Sequence, residues 1–368
     1  MDRHPRVVPP ITAGCLLAAV ALGLAAGFGS IPAQEEPGPN APDEPLAGRL
    51  SLDRAAAFLD TVALDWTRTR RCGTCHTNYN YLLARPAVPG GDRAAMDEVR
   101  AFFEGRVAGW DGDAPGARPR WDTEVVATAA ALALNDAGTT GRLHPRTRQA
   151  LDRMWTLQRA DGAWNWLQCG WPPYEHDDYY GAAFAALGVG AAPEGYRDGA
   201  SARRGLERLR RYLRETPPPS LHHEAMLLWA ATTLDGLMTP AHNERTIAAL
   251  LARQRPDGGW NLASLGDWRR RDGTPNDPSG PGDGFGTGFV VYVLRRAGLP
   301  ADHPALRRGV AWLEAHQRAS GRWFTRSLTN DRAHYITHAG TGFAVLALRA
   351  CGAGSGPDDA GRDPRPSR

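Results

Sequence analysis

Lysine is absent from the sequence, so all 43 basic residues are arginine, and 40 acidic residues leave a net charge of only +3. This absence excludes a Schiff-base lysine, a phosphate-loop lysine and a lysine general base. Acidic and basic residues are interspersed without a basic stripe, so we expect no nucleic-acid partner. A Gly-x-Ser-x-Gly elbow is also absent, and the sequence therefore gives no support to a Ser-His-Asp hydrolase.

The two ends of the chain differ in composition from its centre. In residues 1–34, two arginines precede an apolar run that ends at small residues, which predicts an export signal, either cleaved or kept as an N-terminal anchor. Residues 35–48 are a Pro- and Glu-rich linker and residues 353–368 are a polar tail, and neither segment is expected to order itself. We therefore expect a folded region over residues 49–352 in an exported protein, periplasmic or membrane-associated.

Three segments of the chain share one internal spacing: "LQRADGAW", "RQRPDGGW" and "HQRASGRW". In each, a glutamine precedes a tryptophan by six residues, and the pairs are Gln158 and Trp164, Gln254 and Trp260, and Gln317 and Trp323. This is an internal repeat. We expect the glutamine to end a helix, the glycine to permit a left-handed turn and the tryptophan to pack that turn against the next helix. The repeat residues are therefore predicted to be structural.

Helical periodicity predicts two alternating kinds of helix along the chain. Residues 200–215 place Leu206, Leu209 and Leu213 on one face, as in an amphipathic surface helix, whereas "EVVATAAALAL" is apolar all round and must be buried. Amphipathic segments are predicted near 51–66, 92–104, 146–158, 200–215, 242–254 and 304–317, and apolar segments near 76–84, 123–136, 178–190, 222–236, 285–297 and 338–350. Six such hairpins predict an all-α (α/α)6 toroid with the apolar helices as its inner ring.

The Gln…Gly-x-Trp repeat resembles the QW repeat of squalene-hopene cyclases and of the wider prenyltransferase and squalene oxidase repeat superfamily, over residues 49–352. The resemblance implies a terpenoid cyclase toroid, a polyprenyl or triterpenoid substrate, an isomerase or lyase reaction without a cofactor, and contact with a membrane surface. Full-length squalene cyclases have two toroids and this chain has one. A homodimer that replaces the missing half and a loss of activity are both left open.

Every inner helix of such a toroid starts at the same end, which we call the mouth. Acidic residues, histidines and tyrosines are dense at these helix starts, and the residues concerned are His76, Asn78, Tyr79, Asp122, Glu124, Glu175, His176, Asp177, Asp178, His222, His223, Glu224, Asp283, Tyr335 and His338. Chemistry, if the chain performs any, is expected at the mouth.

The segment Glu175-His176-Asp177-Asp178 is similar to the Asp-x-Asp-Asp motif of class II terpene cyclases. The resemblance implies that Asp177 donates the proton, with Glu175 and Asp178 as neighbouring carboxylates that keep the donor neutral. The first aspartate is replaced by glutamate, and two tyrosines follow where the family has Thr-Ala. Alternatively, Asp178 is a helix N-cap, since it precedes Gly181 by three residues as Asp283 precedes Gly286.

A carbocation formed at this site would be stabilised by aromatic faces. The residues expected to line the substrate site are Tyr79, Trp171, Tyr174, Tyr179, Tyr180, His222, His223, Glu224, Trp229, Tyr335 and His338. The run His222-His223-Glu224 could suggest a metal, but adjacent helical residues point in different directions, so no metal site is expected.

The segment Cys72-x-x-Cys75-His76 has the spacing that attaches c-type haem, and export would allow thioether attachment. Removing residues 51–107 leaves five hairpins, so this motif belongs to the toroid and would place a haem at the mouth, with His76 as axial ligand. The alternatives are a small disulfide loop and a helix-start turn capped by His76.

Three other functions stay open beside the cyclase. The first is a haem-bearing redox or binding protein on the toroid scaffold. The second is a carbohydrate-active (α/α)6 enzyme that uses Asp122 or Glu124 opposite Asp177. The third is a non-catalytic scaffold.

Overall fold

Twelve α-helices follow one another in the computed structural model, which describes residues 40–88, 93–112 and 118–353. In chain order they are α1 (Leu52–Asp65), α2 (Asn78–Ala84), α3 (Arg93–Gly109), α4 (Asp122–Gly138), α5 (Pro145–Thr156), α6 (Asp178–Ala191), α7 (Ala200–Glu215), α8 (Leu221–Ala231), α9 (Pro240–Leu251), α10 (Gly284–Arg296), α11 (Pro304–His316) and α12 (Ile336–Ala350). Short π and 3-10 turns connect some of them, and the described part of the chain contains no β-sheet.

The even-numbered helices form a closed inner ring. Each packs against the next, from α2 through α4, α6, α8 and α10 to α12, and α12 packs back against α2. The odd-numbered helices lie outside this ring, and α7 shows why: it buries Leu206, Leu209 and Leu213 on one face and leaves most of its arginines exposed on the other. The predicted (α/α)6 toroid is confirmed.

Small residues let the inner helices approach closely. A Cβ atom added to Gly188 of α6 would lie 2.5 Å from the Cα atom of Ala130 in α4, and one added to Gly288 of α10 would lie 2.5 Å from the backbone nitrogen of Ala344 in α12. At these glycines the inner helices contact each other backbone to backbone. Helices packed this closely on both sides have no face in water, which is why the inner-helix sequences are apolar all round.

The three glutamines of the repeat join neighbouring outer helices by the same bonds. Each Nε2 donates to the carbonyl of its own turn and to a carbonyl of the next outer helix or its cap: Gln158 to Gly162 and Gly205, Gln254 to Gly258 and Ala305, and Gln317 to Gly321 and Ser51. The turn glycines have φ angles of 102°, 92° and 96°. Because Ser51 caps α1, the last repeat is bonded to the first, and Gln317 closes the ring.

The tryptophans of the repeat are equally regular. The indole nitrogens of Trp164, Trp260 and Trp323 donate to the carbonyls of Met154, Leu250 and Leu313, each ten residues earlier in the chain. All three side chains are fully buried. These contacts fix the path between each outer helix and the inner helix that follows, in agreement with a structural role.

Residues 40–48 correct the expectation that the linker is unable to order itself. A carboxylate oxygen of Glu44 lies 2.5 Å from the guanidinium of Arg322, and the other accepts from the amide of Ser320. The amide of Ala47 donates to the carbonyl of Gln317. The linker is polar, but Glu44 has partners on the turn after α11, and these bonds offset the entropy of ordering residues 40–48.

Some predictions fall on other parts of the chain. The export signal (1–34), the start of the linker and the tail after residue 353 lie outside the described residues. Within the described ranges, no helix is both long enough and apolar enough to cross a membrane.

Candidate active site at the mouth of the toroid

The starts of the inner helices meet at one end, and side chains connect them across the ring. His223 of α8 reaches Asp177 before α6, and the Nδ1 atom of His338 in α12 lies 2.9 Å from the hydroxyl of Thr77 before α2. The hydroxyl of Thr123 in α4 accepts from the amide of Leu167. The structure therefore assembles the mouth that the hairpin pattern predicts.

A linear arrangement of three side chains occupies one side of the mouth. The Nε2 atom of His223 lies 2.9 Å from Oδ2 of Asp177, and its Nδ1 atom lies 2.7 Å from the hydroxyl of Ser220. The His223 ring is 1% exposed. Sequence reasoning found Asp177 and His223 separately but missed Ser220. The sequence feature that could have identified Ser220 is its position just before a predicted inner helix and three residues before His223.

The surroundings of Asp177 keep it ionised. Burial alone would raise the pKa of this carboxyl, but the imidazole of His223 and the amide of Tyr180 outweigh burial, so the pKa lies below its usual value. This differs from the expectation of a donor kept neutral by neighbouring carboxylates. The Asp178 carboxylate is bound instead by Arg159 at 2.6 Å, and that of Glu175 accepts from the thiol of Cys169.

Asp178 does not cap α6, contrary to the alternative suggested by its spacing. The N-cap is Asp177, which accepts from the amide of Tyr180 at 2.9 Å. Asp178 accepts from the amide of Trp166, two residues after the repeat tryptophan. In α10, Asp283 caps the helix and also accepts from the amide two residues after its own repeat tryptophan. Asp283 thus caps α10 and also binds the turn, whereas in α6 Asp177 caps the helix and Asp178 binds the turn.

The centre of the ring is walled by aromatic side chains and nearly filled. A cavity of about 20 Å³ is lined by Cys75, Tyr79, Asn80, Leu83, Tyr174, Tyr180, Phe184, Met226, Trp229 and Phe343. That volume holds about one water molecule. Of the expected lining residues, Tyr79, Tyr174, Tyr180 and Trp229 do reach this cavity.

The other expected lining residues lie elsewhere around the mouth. Tyr179 packs against Tyr212 of the outer helix α7, and Tyr335 packs against Trp66. Trp171 lies half-buried beside His76, with 6.4 Å between the ring centroids. These side chains support the wall of the ring and do not line the cavity.

The adjacent residues His222, His223 and Glu224 point in three directions, as helical geometry requires. His222 is fully buried among aromatic rings, nearest to Phe289 at 4.8 Å between centroids, and neither of its ring nitrogens has a hydrogen-bond partner. Glu224 accepts from the hydroxyl of Thr246. Among the residues that the structure describes, no group of three or more His, Cys, Asp or Glu side chains is placed to hold a metal ion.

The carboxylates proposed for carbohydrate chemistry have other partners. Glu124 accepts from the guanidinium of Arg106 at 2.5 Å and from the indole of Trp110. Asp122 accepts from the side-chain amide of Asn165. Glu124 therefore stabilises the segment between α3 and α4, and Asp122 binds the loop after α5.

The Cys-x-x-Cys-His segment forms part of the toroid wall. Cys72 is exposed, whereas Cys75 is 4% exposed and lines the central cavity. The His76 ring lies 5.0 Å from that of Tyr174. Both cysteines are free thiols, so the alternative disulfide loop is not formed. Cys75 and His76 are buried while Cys72 is exposed, so the three residues as placed would have to rearrange to hold a haem.

A larger space lies outside the ring. A groove of about 620 Å³ runs between the start of α8 and the loop before α10, and Leu221, Arg253, Leu265, Trp268, Arg269 and Asn276 are among its lining residues. The Trp268 indole forms part of the groove floor, and its centroid lies 6.1 Å from that of the buried His222 ring. The His222 ring stacks in turn on that of Tyr180, which lines the central cavity.

No protein-family model matches the chain, and no curated protein matches it. Among solved structures, the ent-copalyl diphosphate synthase from Streptomyces platensis is 20% identical with a TM-score of 0.48, over 75% of this chain and 50% of that one. This chain thus spans half of that protein's length. The type II terpene cyclase MstE from Scytonema is 12% identical with a TM-score of 0.49, over 82% of this chain and 99% of that one. A polysaccharide lyase is 12% identical with a TM-score of 0.29, over 83% and 90%. The fold assignment rests on the closed ring of inner helices and not on these likenesses.

Proposed function

We propose that the chain catalyses acid-initiated cyclisation of a polyprenyl or triterpenoid substrate, an isomerase or lyase reaction in which Asp177 donates the proton. The observation that carries the proposal is the pairing of Asp177 with the buried His223 at the mouth of an aromatic-walled ring. A resemblance in the repeat and in the Glu-x-Asp-Asp segment supports the same reaction.

The chemistry needs a strong acid and a dry, electron-rich cavity. A carboxylic acid whose anion faces an imidazole N–H is a stronger acid than one in water, because that N–H stabilises the anion when the proton leaves. Asp177 has this neighbour in His223. The cation that forms on the protonated alkene would meet the ring faces of Tyr79, Tyr174 and Tyr180. Turnover requires the protonated form of Asp177, so activity should rise as the pH falls.

The central cavity is too small for the proposed substrate unless its walls move. A space of about 20 Å³ does not hold an isoprenoid chain, so binding requires the aromatic side chains of the ring to move apart. The groove of about 620 Å³ is a space of suitable size outside the ring, with Trp268 between it and the interior. We include entry of the substrate from this groove in the proposal.

The experiment compares the full-length protein with Asp177→Asn and with Asp97→Asn, a control at an exposed position of α3. Squalene and geranylgeranyl diphosphate serve as probes, and products are identified by gas chromatography with mass spectrometry. We expect conversion by the wild type and by Asp97→Asn and none by Asp177→Asn. Equal conversion by Asp177→Asn would reject this residue as the donor. No conversion of either probe by the wild type would reject the proposed substrate class.

The proposal extends to the setting of the protein. The N-terminal segment supports export, a membrane surface is where such substrates dissolve, and a single ring is consistent with a homodimer. Cell fractionation and analytical ultracentrifugation test these points. Haem staining after denaturation, which covalent haem survives, tests the rival function, and we expect no stain because Cys75 faces the filled interior.

A further inference from the structure

Ser220 stands at the N-cap of α8 but does not use its side chain as a cap. An N-cap serine ordinarily accepts from an amide of the first turn and so stabilises the helix start. Here the hydroxyl lies 2.7 Å from Nδ1 of His223 instead. The hydroxyl of Ser220 therefore contacts the buried imidazole of His223 and leaves the helix start uncapped.

The other face of the same imidazole meets a single carboxylate. Nε2 of His223 lies 2.9 Å from Oδ2 of Asp177. The remaining titratable neighbours are Tyr179, at 5.8 Å between ring centroids, and His222, at 5.6 Å. Tyr212 of α7 lies behind Tyr179, Glu224 bonds to Thr246, and Asp178 is bound by Arg159. Ser220 and Asp177 are therefore the two groups within hydrogen-bond distance of the ring nitrogens.

We propose that Ser220 is a positioning residue that fixes the proton of the His223 ring on Nε2, on the side that faces Oδ2 of Asp177 at 2.9 Å. A hydroxyl both donates and accepts, so it suits two states of the ring. When the ring is neutral, the hydroxyl of Ser220 donates to Nδ1 and the ring proton stays on Nε2, facing the carboxylate. When the ring is protonated, Nδ1–H donates to the hydroxyl and Nε2–H still faces Asp177.

Removal of the hydroxyl weakens this selection. In Ser220→Ala the neutral ring gains the alternative of carrying its proton on Nδ1, which turns the Nε2 lone pair toward the carboxylate. The lost bond corresponds to about a 2- to 10-fold change in the ratio of the two tautomers. For its consequence in turnover, the inference rests on the proposed function, because only a proton donor at Asp177 depends on the acidity that His223 confers.

The test reads the ring directly and needs no turnover. Histidine-selective ¹⁵N labelling gives the ring-nitrogen signals, and the His223 signals are those missing from His223→Gln. We expect the Nε2–H tautomer in the wild type, in Ser220→Thr, which keeps the hydroxyl, and in Ser201→Ala, an exposed control in α7. In Ser220→Ala we expect the tautomer ratio to shift toward Nδ1–H.

Two results would overturn the inference. The first is an unchanged tautomer in Ser220→Ala with a native circular dichroism spectrum. The second is covalent labelling of Ser220 by a fluorophosphonate, which would make this serine a nucleophile. Failure of the proposed function is recorded separately, as absence of squalene or geranylgeranyl diphosphate conversion by the wild type. If conversion occurs, Ser220→Ala should also shift its pH profile, whereas Ser220→Thr should restore it.

Discussion

Substitution of Gln317 by alanine should weaken the closure of the ring. Its side chain is 1% exposed and makes three bonds: Nε2 donates to the carbonyls of Ser51 and Gly321, and Oε1 accepts from the amide of Ser51. Alanine would leave the amide of Ser51 and the carbonyl of Gly321 without this partner, whereas the carbonyl of Ser51 keeps its bond from the amide of Ala55. At about 1 kcal/mol or more for each of these two groups, the free energy of unfolding should fall by about 2 to 5 kcal/mol.

Urea denaturation followed by circular dichroism measures this loss. Gln168→Ala is the matched control, because Gln168 is exposed and contacts only Asp178 weakly, at 3.4 Å. The control should change the free energy of unfolding by less than about 0.5 kcal/mol. Gln254→Ala should fall between the two, since Gln254 makes similar bonds at a half-buried position. A loss in Gln317→Ala no larger than in Gln168→Ala would refute the role of this residue in closing the ring.

Three further predictions concern the stability of the mouth, measured by the same denaturation. Asp178→Ala should lower the free energy of unfolding by about 1 to 2 kcal/mol, since it strands the amide of Trp166 and removes one of the two carboxylates that bind Arg159; no loss would contradict the bracing role. Gly181→Ala should cost about 1 to 3 kcal/mol, because the added methyl would lie 2.3 Å from the Trp166 ring; a neutral change would show that the indole moves freely. Burial, aided by the nearby His76, lowers the pKa of His338 to about 3 in the folded state, whereas the unfolded chain binds this proton near pH 6.5. As the pH falls from about 6.5 toward 3, the wild type should therefore lose more stability than His338→Gln. Parallel pH profiles of the two proteins would refute this.

The ring itself was predictable from the sequence because each repeat carries its own spacing. The positions of Gln158, Gln254 and Gln317 relative to their tryptophans recur in the hydrogen bonds, and the alternation of apolar and amphipathic segments matches the inner and outer helices. These features depend on local periodicity and on neighbours one repeat away, which a sequence displays directly.

The chemistry of the mouth was less predictable, because it depends on contacts between repeats. The sequence identified Asp177 but placed it among carboxylates, whereas its partner is His223, one inner helix later. The role of Asp178 was missed because Asp283 both caps α10 and binds the turn after the repeat tryptophan, whereas in α6 Asp177 caps the helix and Asp178 binds the turn. The state of Cys75 depends on how tightly the rings opposite it pack, and no spacing along the chain reports that.

All six inner helices begin at the mouth, and this shared direction has an electrostatic consequence. Each helix carries about half a positive charge at its start and half a negative charge at its end. Six aligned dipoles make the mouth a region of positive potential and the far end of the ring a region of negative potential. In the proposed reaction, a cation generated beside Asp177 would be driven inward, toward the ends of the inner helices. The helix dipoles of the ring would thus create an electric field along its axis that acts on a cation independently of contact with any single side chain.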